Sequence, residues 1–328
     1  MSPPFGSDRI TLDIQLEPVS TTLELQEIRQ GLTDRPRRLL SKYFYDKRGS
    51  ALFEEITRLP EYYPTRTEQA LLREVAEEIS RRTGAEELVE LGAGAATKTR
   101  VLLDAMQSSG NLRLYVPFDV SETEVRRVAT ELTCEYPDLL VHGIVADFVH
   151  HLGTIPPGQP RLVILLGSTI GNFTPAESSA LLSRISRQMA PGDYLLLGAD
   201  LIKDAEVIER AYNDAQGVTA EFNKNILRVV NQVAKADFDP DLYEHLALYN
   251  GDRERIEMYL VARRAHQVAA RNLDLTLEIG DGEALRTEIS CKYHRPGIEA
   301  MLTASGFRVA DWYTDAEHLF ALALARRR

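Results

Sequence analysis

The chain has 328 residues, of which 44% are apolar and 27% charged, enough for one large globular domain or two. Its 49 acidic and 38 basic side chains give a net charge of −11, which disfavours binding to nucleic-acid phosphates or anionic membranes. Neither a signal peptide nor an apolar run of membrane-spanning length is evident. We expect a cytoplasmic monomer, with no nucleic acid and no membrane as partner.

Cysteine and histidine do not suggest a metal site. Cys134 and Cys291 stand far apart and lack metal-ligand spacing, which is typical of reduced thiols in a cytosolic protein. His150 and His151 have no further ligands nearby in the sequence. We therefore expect no metal.

The first strongly periodic segment is a helix at residues 65–84. Thr65 and Glu68 have the spacing of a capping box, the apolar side chains repeat at helical spacing, and Gly84 ends the segment. A buried strand at 88–92 follows, then a glycine-rich loop, then a helix at 98–106.

The alternation of strand and helix continues through four more strands. A regular alternation of this kind predicts a parallel sheet with helices on both faces, the Rossmann-like α/β class. The predicted strands are 114–120, 139–148, 161–168 and 193–200, and the predicted helices are 121–137 and 175–189.

The alternation stops after Leu201, and two apolar stretches at 307–314 and 318–325 predict closing strands. The intervening part contains helix-like and strand-like segments and predicts a second, discontinuous α+β domain. The predicted cofactor domain is 67–201 plus 292–328, and the predicted substrate domain is 14–66 plus 202–291. Within the latter, the predicted helices are 204–216, 218–233 and 239–249, and a strand is predicted at 255–263.

The loop Gly92-Ala93-Gly94 lies between the first strand and helix of the predicted sheet, where backbone N–H groups can approach a ligand. Asp119 ends the next strand and can accept bonds from ribose hydroxyls, and Asp147-Phe148 ends the one after, where it suits an adenine. The third glycine of a dinucleotide loop is replaced, which favours S-adenosylmethionine over NAD. Alternatively, the loop is a tight turn with no ligand, and Lys98 either contacts the cofactor carboxylate or is simply solvated.

From Tyr45 to Ser290 the chain closely resembles the histidine Nα-methyltransferases of ergothioneine biosynthesis. The segments that carry the resemblance include the tyrosine-rich KYFYDKRGSALFEEITRLPEYYPTRTE (42–68), VELGAGAATKTRVLLDAM (89–106), LLGSTIGNFTP (165–175) and TEISCKY (287–293). The resemblance implies a class I methyltransferase fold. It also implies three successive methyl transfers from S-adenosylmethionine to the α-amino nitrogen of L-histidine, giving the betaine hercynine.

The resemblance also implies a role for each matching residue. Gly92, Lys98, Asp119, Asp147 and Phe148 would hold the cofactor. The substrate's amine and carboxylate would contact Tyr62, Asn172 and Tyr212, with catalytic positioning by Tyr45 and the carbonyl of Gly167. Its imidazole would contact Glu288 and Ser290, with Met258 nearby.

The residues themselves support part of this interpretation. Glu288 and Ser290 are two apart in a predicted strand, so they share a face and can pair with both nitrogens of an imidazole. The candidate residues also have plainer interpretations. In these, Glu288 and Ser290 are ordinary polar residues on a surface strand, the tyrosines and Met258 pack in the core, and Asn172 forms a turn.

Two other functions remain open from the sequence. One is methylation of another free amino acid, tryptophan or tyrosine, although an indole would leave Glu288 poorly satisfied because it has no basic nitrogen. The other is a regulator that binds S-adenosylmethionine without catalysis.

Overall fold

The computed structural model describes residues 9–15, 19–156, 158 and 160–328. The chain divides into two compact units. The first comprises Thr67–Leu201 and Tyr293–Arg328 with the described residues 9–15, and the second comprises Ile202–Lys292 with the described residues 19–66.

The first unit is built on an eight-stranded sheet. Its strands are β1 Ile10–Ile14, β2 Glu87–Leu91, β3 Leu114–Asp119, β4 Leu140–Val145, β5 Arg161–Leu165, β6 Tyr194–Asp200, β12 Phe307–Thr314 and β13 Phe320–Arg327. They lie in the order β1-β4-β3-β2-β5-β6-β13-β12. The strands from β1 to β6 run parallel, whereas β13 pairs antiparallel with both β6 and β12.

Apolar clusters cover both faces of this sheet, because the central strands are buried on both sides and read as continuous apolar runs. Leu162 and Ile164 of β5 face one cluster, and Val163 and Leu165 face the other. The helices that connect the strands are α3 Tyr63–Thr83, α4 Thr99–Ser108, α5 Glu122–Glu135, the short α6 Phe148–His151, α7 Pro175–Arg187 and α10 Arg295–Ala304.

The strand order fixes where a ligand of this sheet would bind. From β2 the chain proceeds to β3 and β4 on one side, and it then returns to place β5 and β6 on the other. Ligands of open parallel sheets bind beyond the carboxyl ends of the strands at such a reversal. The loops that follow β2, β3, β4 and β5 are therefore the place to look for a site.

The second unit combines helices with two small antiparallel sheets. A three-stranded sheet has the order β11-β8-β7, and β9 pairs with β10. The helices are α1 Val19–Thr33, α2 Lys47–Ile56, α8 Ala205–Tyr212 and α9 Val218–Ala234, and the strands are β7 Tyr243–Asn250, β8 Arg255–Ala262, β9 His266–Ala270, β10 Leu275–Ile279 and β11 Ala284–Cys291. α9 buries Phe222, Ile226 and Val230.

The strands predicted for the main sheet, the two closing strands and the strand at 255–263 are confirmed within a few residues. The amino-terminal β1 was not anticipated. It pairs with β4 and forms the edge of the sheet in the first unit, whereas the sequence assigned residues from Ile14 onward to the second domain.

Two local predictions are wrong. Residues 239–249 form β7 and a preceding 3-10 turn instead of a helix: Leu242, Leu246 and Tyr249 have near-helical spacing, but register pairing with β8 determines the conformation. Thr65 and Glu68 do not form a capping box either, because α3 already begins at Tyr63 and the Glu68 carboxylate bonds elsewhere.

Candidate active site

The glycine loop follows β2 and turns back toward β3. The Gly92 N–H donates to the carbonyl of Phe118 at 2.8 Å. Gly92 has a φ of +77°, a conformation that side chains disfavour, and a Cβ there would lie 3.7 Å from the Phe148 ring. Glycine at this position therefore brings bare backbone next to an aromatic face.

Asp119, at the end of β3, is fixed by the loop that it faces. Its carboxylate accepts from the N–H of Gly94 and from the N–H of Ser121, each at 2.9 Å. Burial raises the pKa of Asp119, and these backbone bonds oppose that rise because they favour the charged form. Each carboxylate oxygen has more than one acceptor direction, so the group can also receive hydroxyl donors.

Asp147 and Phe148 follow β4. Asp147 caps α6 by accepting from the Val149 N–H at 2.8 Å, and the Phe148 ring lies edge-on to Phe118 with 6.5 Å between centroids. An acidic side chain and an aromatic ring thus follow β4, and the ring lies near Gly92.

A buried carboxylate at the end of β2 was missed by the sequence analysis. Glu90 is 5% exposed and accepts from Thr99 Oγ1 at 2.6 Å and from the hydroxyl of Tyr115. Burial raises the pKa of Glu90 to about 7, although both hydrogen bonds act in the opposite direction. Glu90 links β2, the start of α4 and β3 just below the glycine loop.

Glu68 is a second buried carboxylate that was missed. It is fully buried and accepts from the Gly167 N–H, at 2.7 Å to Oε1 and 3.0 Å to Oε2. It also pairs with the ammonium of Lys98, whose side chain is 23% exposed. Lys98 is therefore held in an ion pair, contrary to the plain interpretation of a solvated lysine.

The segment after β5 has a tight, left-handed backbone. Gly167 and Ser168 have φ of +72° and +53°. The Ser168 hydroxyl accepts from the Asp200 N–H at 3.0 Å, which ties the turn to the end of β6. Asn172 ends the 3-10 turn Thr169–Asn172 that follows and is half-buried.

In the second unit, the structure brings the predicted tyrosines into one aromatic series. The Tyr45 ring meets Phe53 edge-on at 5.6 Å, Phe53 meets Tyr62 at 6.1 Å, and Tyr62 meets Tyr212 at 6.3 Å. Tyr212 is buried, whereas Tyr45 is 39% exposed.

The predicted imidazole pair lies on β11. Glu288 is directly opposite the buried Met258 of β8, and Ser290 is opposite Ile256. Thr287 instead donates to Asn223 Oδ1 at 2.6 Å. Burial raises the pKa of Glu288 to about 7, and the charge of Lys292 partly offsets this.

Lys292 is a further residue that the sequence analysis missed. It is 2% exposed, and its ammonium donates to Ser290 Oγ at 2.9 Å and to the Tyr212 hydroxyl at 3.1 Å. A lysine two residues beyond Ser290 shares its strand face, and this was the signal that could have found it.

The candidate residues thus form two groups. Gly92, Lys98, Asp119, Asp147, Phe148, Gly167 and Asn172 lie in the first unit, and Tyr45, Tyr62, Tyr212, Met258, Glu288 and Ser290 lie in the second. Within the described part of the chain, no cluster of three or more metal-binding side chains occurs, and no helix is long and apolar enough to cross a membrane.

A parallel sheet with this order of strands, a glycine loop after β2 and carboxylates after β3 and β4 are typical of S-adenosylmethionine-dependent methyltransferases with a Rossmann-like fold. The residues present fit that cofactor: a glycine turn, anchored carboxylate acceptors and an aromatic ring follow the strands at the reversal of the strand order.

Comparison with known proteins narrows this class. The profile of the family described as histidine-specific, S-adenosylmethionine-dependent methyltransferases matches residues 24–327. The histidine N-alpha-methyltransferase of Mycolicibacterium smegmatis is 49% identical over 302 residues, which cover 92% of this chain and 94% of that protein. The enzyme of the same name from Mycobacterium tuberculosis is 45% identical with the same coverage.

A fungal relative is more distant and longer. Ergothioneine biosynthesis protein 1 of Neurospora crassa is 30% identical over 89% of this chain, and the match covers 34% of that protein. The chain belongs to the family of histidine-specific, S-adenosylmethionine-dependent methyltransferases.

Proposed function

We propose that this enzyme methylates the α-amino nitrogen of L-histidine three times, forming hercynine in the first step of ergothioneine biosynthesis. The names of the two mycobacterial relatives and of the Neurospora protein support this substrate and pathway. We further propose that the first unit binds the cofactor and that the second supplies most of the residues that bind the amino acid, in a cytoplasmic monomer.

The observation that carries the proposal is the polar face of β11. Glu288 and Ser290 present an acceptor and a hydroxyl on one face, which matches the two nitrogens of an imidazole. An indole has a single N–H and no basic nitrogen, so it would leave this pair incompletely satisfied.

On the cofactor side, we assign Asp119 to the ribose hydroxyls and Asp147 with Phe148 to the adenine. Gly92 has no side chain on the side of the Phe148 ring, where a Cβ would lie 3.7 Å from it, and this leaves room for a ligand. Lys98 is assigned to the carboxylate of the cofactor's amino-acid portion, with Glu68 holding its ammonium in place.

On the substrate side, we assign Tyr62, Asn172 and Tyr212 to the amine and carboxylate of histidine. Tyr45 and the carbonyl of Gly167 orient the amine. The ring contacts from Tyr45 through Phe53 and Tyr62 to Tyr212 hold these side chains in a fixed arrangement.

S-adenosylmethionine would supply a methyl group on a sulfonium: the lone pair of a neutral amine would form a bond to the methyl carbon as the carbon–sulfur bond breaks, with S-adenosylhomocysteine as the leaving thioether. The protein must align the amine with the methyl carbon, because effective alignment removes much of the barrier. It must also keep the amine unprotonated, so that its lone pair is available. Burial of the amine beside tyrosine side chains lowers its pKa and favours the neutral form. Contacts with the carboxylate and the imidazole must dominate binding, because the amine grows with each transfer.

The proposal is tested by incubating the protein with S-adenosylmethionine and the twenty amino acids and recording masses. We expect one, two and three added methyl groups on histidine and none on tryptophan or tyrosine. Absence of methylated histidine would reject the proposal. Cofactor binding by calorimetry without turnover on any amino acid would instead favour a regulator.

A further inference from the structure

Lys292 is buried on the same face of β11 as the proposed imidazole pair. Its ammonium donates to Ser290 Oγ at 2.9 Å and to the Tyr212 hydroxyl at 3.1 Å, and it lies 5.0 Å from the centre of the Tyr212 ring. The side chain is 2% exposed, so these bonds form away from bulk water. A surface lysine would not be held in this way.

The chemistry of an ammonium gives the bond to Ser290 a direction. An ammonium carries three N–H donors and no lone pair, so it cannot accept a hydrogen bond. Ser290 Oγ must therefore accept from Lys292, and its own hydrogen points toward another acceptor. Lys292 occupies one of the two lone pairs of the Ser290 hydroxyl, which favours donation by Ser290 to a neighbouring acceptor.

We propose that Lys292 is a positioning residue that makes Ser290 a hydrogen-bond donor, so that the pocket selects a neutral ring with one N–H and one acceptor nitrogen. The proposal rests on the assignment of Glu288 and Ser290 to the imidazole. One ring nitrogen donates to Glu288, and the other accepts from Ser290. An imidazolium would bring a second N–H and a second positive charge next to the Lys292 ammonium, and both disfavour its binding.

Other titratable groups also lie near this position. A Glu288 carboxylate attracts an imidazolium, and the Lys292 ammonium opposes that attraction. Glu288 on the same strand faces this pocket, the Tyr212 hydroxyl approaches from α8, and His245 on β7 lies within 2.8 Å of the Tyr212 carbonyl. Burial lowers the pKa of His245 and so favours its neutral form. The fixed positive charge of Lys292 repels an imidazolium, in addition to setting the direction of the Ser290 bond.

The test measures histidine binding as a function of pH in the full-length protein saturated with S-adenosylhomocysteine. Triazolylalanine is the reference ligand, because its ring stays neutral while sharing the amino-acid portion. The ratio of the two dissociation constants therefore reports on ring protonation and cancels the titration of protein groups that act equally on both ligands. Between about pH 7.5 and about pH 5.5 the neutral fraction of an imidazole falls about tenfold.

In the wild type we expect the ratio of the histidine to the triazolylalanine dissociation constant to rise about tenfold over that interval. In Lys292→Met, which keeps the bulk but has no donor, Ser290 can rotate and accept, and the rise should fall below about threefold. Lys292→Arg restores a side chain that only donates and should restore the steep dependence. Lys47→Met, the same change at an exposed lysine at the start of α2, is the matched control and should leave the ratio as in the wild type.

A tenfold rise that persists in Lys292→Met would overturn the inference. A ratio that does not change with pH in the wild type would also overturn it, and this result does not depend on the folding of any variant. If the wild type neither binds nor methylates histidine, the proposed function itself fails. Histidine methylation with an unchanged ratio in Lys292→Met rejects the role of Lys292 alone.

Discussion

Glu68 is the clearest point at which a single substitution should destabilise the first unit. Glu68→Ala removes the acceptor of the Gly167 N–H and the partner of the Lys98 ammonium at once. Breaking a buried ion pair by removing one partner costs about 3 to 5 kcal/mol. Because Lys98 is 23% exposed, water solvates its unpaired ammonium and reduces this cost, so we expect the free energy of unfolding to fall by about 2 to 3 kcal/mol.

The assay is thermal unfolding of the protein without cofactor. At roughly 2 to 4 °C per kcal/mol, the loss corresponds to a decrease in Tm of about 4 to 12 °C. Glu68→Gln keeps an acceptor for Gly167 and should lose less. Glu74→Ala is the matched control, because Glu74 is exposed on the same helix and such a change stays within about 0.5 kcal/mol.

A double-mutant cycle isolates the ion pair itself. Adding Lys98→Met to Glu68→Ala should cost less than the sum of the single changes, by about 1 to 3 kcal/mol, since the second change removes an already unpaired charge. If Glu68→Ala lowers Tm no more than Glu74→Ala does, the contacts of Glu68 with Gly167 and Lys98 do not stabilise the first unit.

Three further predictions concern the glycine loop and the substrate residues. Burial raises the pKa of Glu90 from 4.5 to about 7, so its contribution to stability is full below about pH 4.5 and lost as the pH rises through 7. Urea denaturation should show Glu90→Gln losing roughly 2 kcal/mol less than the wild type between about pH 5.5 and about pH 8.5. Gly92→Ala places a side chain at a φ of +77° and should weaken cofactor binding at least about tenfold by calorimetry, while Gly251→Ala, in an exposed turn of the second unit, should not. Glu288→Ala should raise KM for histidine by far more than it raises the cofactor Kd. Equal increases in both would show that Glu288 does not bind the imidazole.

The sheet and its glycine loop were predictable because the signals are local. A strand buried on both faces is a continuous apolar run, as in β5, and a turn glycine followed by helical spacing marks the loop after β2. Asp119 could be placed because a residue that ends a parallel strand must lie at the carboxyl edge of the sheet.

The missed features depend on partners that are distant in the chain. Glu68 has the local spacing of a capping box, but it bonds to Lys98, 30 residues away, and to Gly167, 99 residues away. Lys292 was overlooked because its partner Tyr212 lies 80 residues earlier. The conformation of β7 likewise depends on pairing with β8 instead of on its own near-helical pattern.

The central claim is that the methyl groups are transferred to the α-nitrogen of histidine. The most direct test is NMR of the product made from histidine and S-adenosylmethionine labelled with carbon-13 in the methyl group. We predict a single labelled trimethylammonium signal that correlates with the α-proton. A labelled methyl on a ring nitrogen, or no labelled product from histidine, would contradict this account.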